Sequence, residues 1–421
     1  MKTVLGFDSW TEGSHHYCRL VGALRSRGFA LKLIHLGSWG HDAKRPDHEM
    51  IGDLPVFDIR YYRGKSFRDI LETEAPAAVI FLSTEAFLHR AFNRYAAELG
   101  IPTLHLYHGL IGVQATESGQ PDHYNVISQI KLILTRSGKL LTRTFPVYGK
   151  SLIDTKASAN AWLRFFKDVL MQAFGRYKSR AACDARTQYC GVYTKADVAH
   201  AVSKYGVPSK NVRVLGNPDL TKFGLRQADL GAASAADNLQ HTRIMYIDHG
   251  GSTSALNFRS SRDFVEYLVS TRDELLKQGY SLQVKLHPAQ RLTATPQLCK
   301  EQGIQVCDDQ EFLTCLLACR AALVGPSSAA LIPALLGLPV LLACYGKFGG
   351  QQYGKVLMSY PRAIVLTSLG DVKHHLLTYR ATGGGSSACV DEWLVENVGP
   401  LPAETMPDRV ASLVAEMVAP T

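Results

Sequence analysis

The sequence has no CxxC or Cys/His spacing of the kind that holds a metal. Its nine cysteines are scattered and odd in number, which excludes a disulfide scaffold and a zinc module and reads as reduced thiols. Charge is sparse, 20% against 46% apolar residues, and with 35 glycines and 18 prolines in 421 residues neither a disordered chain, a collagen-like repeat nor a coiled coil fits. The apolar run from Met1 to Phe7 stops at Asp8, too short for a secretory signal. The expected location is therefore the cytoplasm. One stretch, 321–346, lacks charge and is long enough to span a bilayer, but Pro326, Pro333, Pro339 and a serine pair suit a strand, a turn and a buried helix better. Acidic residues are scarce in one place above all: between Lys131 and Arg180 eleven Lys/Arg accompany two acids. The net charge is +9, so the rest of the chain is close to neutral. That pattern excludes a nucleic-acid protein that is basic throughout and points to one basic patch facing an anionic membrane or an acidic substrate.

What is present is a chain long enough for two or three domains, in which short apolar runs alternate with helical spacing. Strands are expected at 2–7, 30–36, 77–82, 103–107, 191–194 and 212–215, with helices at 14–26 and 197–204 between them. Unalternating strands separated by helices indicate a parallel sheet covered on both faces. Residues 219–241 read as a linker. The pattern then restarts: strands at 243–247, 282–286, 304–307, 321–324 and 340–343, with helices at 261–278, from 311 and after 328. The expected class is α/β, two Rossmann-like parallel-sheet domains facing a central cleft. Residues 1–218 form the first domain, 242–395 the second, and 396–421 a tail whose helix is expected to cross back to the first.

The sharpest motif is Val284-Lys285-Leu286-His287-Pro288, with Gly325-Pro326-Ser327-Ser328 downstream. Pro288 ends a strand and leaves His287 at its C-terminal edge, where open α/β sheets bind ligands. Ser327 and Ser328 fall between a strand and a helix start, where free N–H groups and hydroxyls hold a phosphate without a metal. If both elements share one sheet, Lys285, His287, Pro288, Gly325 and the serines gather around one anion, and His287 can donate to a departing phosphate.

The His-Pro pair, the Ser-Ser turn and Gly337-Leu338-Pro339-Val340 resemble the donor half of GT-B glycosyltransferases that use CMP-activated sugars, the bacterial sialyltransferases and Kdo transferases of capsule and lipopolysaccharide assembly. Val214-Leu215-Gly216-Asn217-Pro218 is similar to the end of the first domain in GT-B proteins. The resemblance implies a metal-independent transfer of a Kdo- or sialic-acid-like sugar from a CMP donor to a saccharide or lipid-linked saccharide acceptor, with no cofactor. Ile332-Pro333-Ala334 stands where many UDP-sugar users carry a Glu, which speaks for cytidine and against a UDP-GlcNAc 2-epimerase-like isomerase. CDP-glycerol-type polyol-phosphate transferases share Lys-x-His-Pro and the Ser-Ser turn and remain an alternative.

Asp248-His249-Gly250-Gly251 follows the strand at 243–247. Gly250 and Gly251 let a ligand approach the backbone, and Asp248 is read as a cap or, by resemblance to retaining β-Kdo transferases, as a nucleophile. A transferase also needs a base for the acceptor hydroxyl. In the first half Asp8, Glu85 and His108 follow strands, and Glu85 and His108 are the candidates; His15 and His16 read as ordinary residues of a helix N-terminus. Asp308-Asp309-Gln310-Glu311 reads as a helix cap with an acidic first turn rather than a metal site. At 162–174, Trp162, Phe165, Phe166, Val169, Leu170, Ala173 and Phe174 form one apolar stripe, with Arg164, Lys167 and Gln172 opposite. The stripe packs into a core or, with the basic segment 156–180, docks on an anionic membrane.

Overall fold

The computed structural model describes residues 1–9, 13–39, 44–108, 143–173, 186–234, 241–249, 257–325, 328–349, 353–381 and 387–419. Fourteen strands among them form two sheets. The first contains β1 (Lys2–Asp8), β2 (Phe29–His35), β3 (His48–Ile51), β4 (Leu54–Asp58), β5 (Ala78–Phe81), β6 (Thr103–Leu106), β7 (Tyr189–Val192) and β8 (Val212–Val214). Their spatial order is β3-β4-β2-β1-β5-β6-β7-β8, parallel except for the β3–β4 hairpin. That hairpin was not expected from the sequence. Its strands are short, β3 is polar, and its turn depends on Gly52 at φ 59°.

The first sheet buries both faces. Leu5, Phe7, Phe81 and Phe92 pack on one side; Val4, Leu31, Ile80 and Leu104 pack on the other. Gly6 cannot be larger, because a Cβ there would lie 2.5 Å from the Tyr17 ring. The expected single helix at 14–26 is two short ones, Ser14–Cys18 and Val21–Ser26. Far along the chain, helix Met406–Val418 joins the second of these faces, burying Val410, Leu413, Val414 and Met417 in it.

The second sheet contains β9 (Arg243–Ile247), β10 (Ser281–Lys285), β11 (Gln305–Val306), β12 (Ala321–Val324), β13 (Val340–Ala343) and β14 (Ala363–Leu366). All are parallel, in the order β11-β10-β9-β12-β13-β14. This is the doubly wound 3-2-1-4-5-6 arrangement, whose strand order reverses between β9 and β12. The charge-free run at 321–346 supplies β12, helix Leu331–Leu335 and β13 to its core. No described helix is long and apolar enough to cross a membrane. The stretch read as a linker is packed: Leu220, Leu225 and Ala233 belong to the second core, and Gly231 N–H donates to the Leu335 carbonyl at 2.9 Å.

Candidate functional site

Parallel register brings the separate motifs to one edge. Ile247 of β9 stands level with Lys285 of β10 and Val324 of β12, so Asp248, Leu286 and Gly325 leave the sheet side by side. The crevice where the strand order reverses lies between the first and last of these.

Asp248 is buried, 2% exposed, and acts as a brace. Its N–H donates to the Lys285 carbonyl at 2.9 Å, and its Oδ2 accepts the His287 N–H at 3.1 Å. This carboxylate therefore sets where the His287 backbone leaves β10. Pro288 opens a short 3-10 turn, Pro288–Leu292, that His287 caps. The Ala289 N–H donates to His287 Nδ1 at 3.2 Å, so Nδ1 is an acceptor and the ring proton sits on Nε2. The half-buried ring thus carries its N–H on Nε2.

His249, the residue beside Asp248, is the group that sequence reasoning passed over. Its orientation follows from a carbonyl 90 residues from its partner. Asn257 Nδ2 donates to the Lys347 carbonyl at 2.8 Å, which leaves Asn257 Oδ1 to accept from His249 Nε2 at 3.1 Å. The remaining nitrogen, Nδ1, is a buried lone pair without a hydrogen-bond partner among the described residues. It lies over Gly325, where a Cβ would be 2.6 Å away. The signal available in sequence was Gly325 itself, a glycine at a strand end whose missing side chain makes room for a ring. Phe348 supports that ring edge-on, 5.4 Å between centroids.

The other residues expected at this site divide. Lys285 is buried and pairs with Asp309, its ammonium 5.5 Å from the Phe312 ring centre. Arg291 shares the same carboxylate at 2.8 Å. Asp308 and Asp309 therefore do not cap the following helix, Phe312–Leu317, whose cap position is Glu311. They close an ion-pair network instead, because the parallel strands bring Lys285 and Arg291 against them. Ser328 begins the 3-10 turn Ser328–Ala330 after β12. Gly250, Gly251 and Ser327 lie outside the described residues.

A second group forms at the edge of the first sheet. His108 follows β6, and its ring meets His16 edge-on at 5.8 Å, while the His15 and His16 rings lie 3.9 Å apart, tilted by 39°. These two are thus part of a histidine cluster, which spacing alone did not reveal. Arg19 reaches Asp219, beyond β8, at 3.6 Å. Burial, with His15 and Arg19 beside it, pushes His16 down to about 3, and burial likewise holds His108 below the usual imidazole range. Both rings are uncharged at neutral pH. Glu85 is turned elsewhere: it takes Lys204 at 2.7 Å and the Tyr205 hydroxyl at 3.1 Å, which ties it to helix Ala196–Tyr205. Asp8 is buried beside Gly13 and accepts the Ser9 N–H at 2.6 Å. Among the described residues, no group of three or more His, Cys, Asp or Glu is arranged to hold a metal ion.

No protein-family model matches the chain. No curated protein matches it either. Solved structures that resemble it do so over nearly its whole length and at low identity. The wall teichoic acid polymerase TagF is 10% identical with a TM-score of 0.47, covering 99% of this chain and 88% of that one. The UDP-GlcNAc 2-epimerase of Methanocaldococcus jannaschii is 11% identical with a TM-score of 0.44, covering 99% and 100%. Anabaena Alr3699/HepE, solved in complex with UDP, is 10% identical with a TM-score of 0.45, covering 99% and 100%. At these values none of them assigns a reaction to this chain, and the functional reading rests on its own residues.

Proposed function

We propose that the chain is a GT-B-type, metal-independent glycosyltransferase that moves a Kdo- or sialic-acid-like sugar from its CMP ester to a saccharide acceptor. The observation that carries this reading is the pair of imidazoles at the C-terminal edge of the second sheet, one after β10 presenting Nε2–H and the other after β9 with a buried Nδ1 lone pair over a bare glycine. The first suits a phosphate oxygen on which charge builds as the anomeric C–O bond breaks. The second suits a hydroxyl or amino group of the same nucleotide. In this reading Ser327 and Ser328 hold the phosphate with their backbone N–H groups, and Gly250 and Gly251 let the nucleotide approach. Asp248 positions His287 rather than attacking carbon, since its Oδ2 already accepts the His287 N–H. The acceptor belongs at the first-sheet cluster, where uncharged His108 takes the proton of the attacking hydroxyl; Glu85, paired with Lys204, is the weaker candidate.

Helix Ala159–Ala173 supports peripheral docking on an anionic bilayer, which fits a lipid-linked acceptor. Leu163, Phe166 and Leu170 are 75%, 52% and 57% exposed at i, i+3 and i+7, with Arg164 and Lys167 beside them.

Thermal-shift titration with CMP, CDP and UDP tests the donor. CMP should stabilise the protein most, and His287→Ala and His249→Ala should each lose that stabilisation. Stabilisation by CDP alone transfers the assignment to polyol-phosphate chemistry, and stabilisation by UDP alone overturns the cytidine donor.

A further inference from the structure

A cavity lies in the first domain. It measures about 440 Å³ and is lined by Trp39, Ile59, Phe67, Tyr95, Pro146 and Val147. Trp39 and Ile59 follow β2 and β4, Phe67 opens helix Phe67–Glu74, and Pro146 and Val147 open helix Phe145–Asp154. Three cations, Arg60, Lys65 and Lys150, with Gly64 and Ser66 complete the lining, and no carboxylate is among the lining residues.

The acids lie one layer back, and they do not neutralise the rim evenly. Lys150 pairs with Asp154, which also accepts the Tyr95 hydroxyl at 2.7 Å, and Arg60 pairs with buried Asp58 at 2.8 Å. Lys65 donates its ammonium to the Thr73 hydroxyl at 3.0 Å, and its charge reaches the Asp69 carboxylate. Arg143 gives its guanidinium to the carbonyl of Trp39, a lining residue, at 2.6 Å. An apolar floor whose charged lining residues are all cations is complementary to one kind of ligand, a hydrocarbon that carries a phosphate. The setting agrees with it: one turn beyond Lys150, Ile153 is 67% exposed, and the next helix is the one with Leu163, Phe166 and Leu170 outward.

We propose that this cavity is a binding site for an anionic amphiphile, its chain seated between Phe67, Tyr95 and Val147 and its phosphate held by Lys65 at the cationic rim. A role for that ligand as the anchor of the acceptor rests on the transfer reading; its binding does not. Calorimetry with octyl phosphate, octanol and inorganic phosphate tests the site. Octyl phosphate should bind, octanol should bind at least tenfold more weakly, and inorganic phosphate should give no heat. Lys65→Glu should weaken octyl phosphate roughly tenfold. Val147→Trp, which fills the floor, should abolish it, while CMP still stabilises both variants. Inorganic phosphate binding as tightly as octyl phosphate overturns the proposal, as does unchanged octyl phosphate affinity in both variants. Vesicles of phosphatidylcholine doped with farnesyl phosphate distinguish the source. Co-sedimentation that Val147→Trp removes supports a membrane lipid; octyl phosphate binding without co-sedimentation supports a soluble phosphorylated ligand. Failure here with CMP binding intact leaves the donor site standing.

Discussion

His108 and His89 illustrate how burial turns an imidazole to different ends. His108, held below its ordinary range by burial, stays unprotonated into mildly acidic solution, as a base must. The acid limb of kcat/KM is therefore expected below pH 6.5, and His108→Gln should lose activity by about two orders of magnitude together with that limb. A profile unchanged in the variant would assign the proton transfer elsewhere. His287→Ala should lose about two orders of magnitude in kcat with the folded state intact, read by single-turnover assay and circular dichroism. His89 serves no site. It lies wholly buried, neither ring nitrogen having a hydrogen-bond partner among the described residues, packed edge-on against Phe7 at 5.3 Å, and burial pushes it down to about 4. Such a group contributes full stability above the unfolded value of 6.5 and loses it as pH falls from there to about 4, a cost of roughly 3 kcal/mol. His89→Leu should remove one proton's worth of slope from a plot of unfolding free energy against pH across that window, measured by urea melts. Sequence alone could not separate these roles, since each imidazole is defined by what surrounds it.

At the scale of single elements, helix Ala159–Ala173 shows what periodicity can and cannot give. The spacing of apolar residues forecasts the helix, and Phe165 faces the core as expected, fully buried against Phe145, Tyr148 and Trp162. The stripe itself was drawn too broadly. Phe166 and Leu170 lie with Leu163 on the outward face, while Asp168 turns inward to pair with buried Arg90 at 3.0 Å. The turn positions for Arg90 and Asp168 are set by a contact 78 residues apart, which no window along the chain contains. Phe165→Ala should cost about 3–5 kcal/mol in a denaturant melt. Phe166→Asp should change stability by no more than about 0.5 kcal/mol yet remove co-sedimentation with phosphatidylglycerol vesicles, which in the parent chain should weaken as salt rises. Loss of folding in Phe166→Asp would return that face to the protein interior.

Across the whole molecule, the two passages of the chain between the sheets are locked to each other. Gly399, at φ 79°, packs on Gly216, at φ 90°, and a Cβ on Gly399 would lie 2.3 Å from the Tyr193 carbonyl. Arg409, on the tail helix, donates to the Leu215 carbonyl at 2.6 Å, Pro400 at 3.1 Å and Pro402 at 3.2 Å. One guanidinium thus satisfies carbonyls from both passages, and the helix that carries it buries Val410, Leu413 and Val414 in the first core. Gly399→Ala should destabilise by roughly 2–4 kcal/mol, since it adds both a clash and left-handed strain. Thermal unfolding followed by calorimetry checks it, and an unchanged Tm would mean that the crossing is looser than this packing requires.

The chain by itself determined the α/β alternation, most strand positions, the strand-end placement of His287 and the helical tail, because each depends on neighbours within a few residues: apolar runs, Pro288 as a strand stop, glycine before a turn. Only the tertiary structure decided which ring nitrogen of His249 and His287 is free, that Asp248 braces and Lys285 pairs with Asp309, and that His16 meets His108. Those outcomes are set by parallel register and by hydrogen bonds spanning tens of residues, where a carbonyl or carboxylate from one strand edge fixes the proton on another.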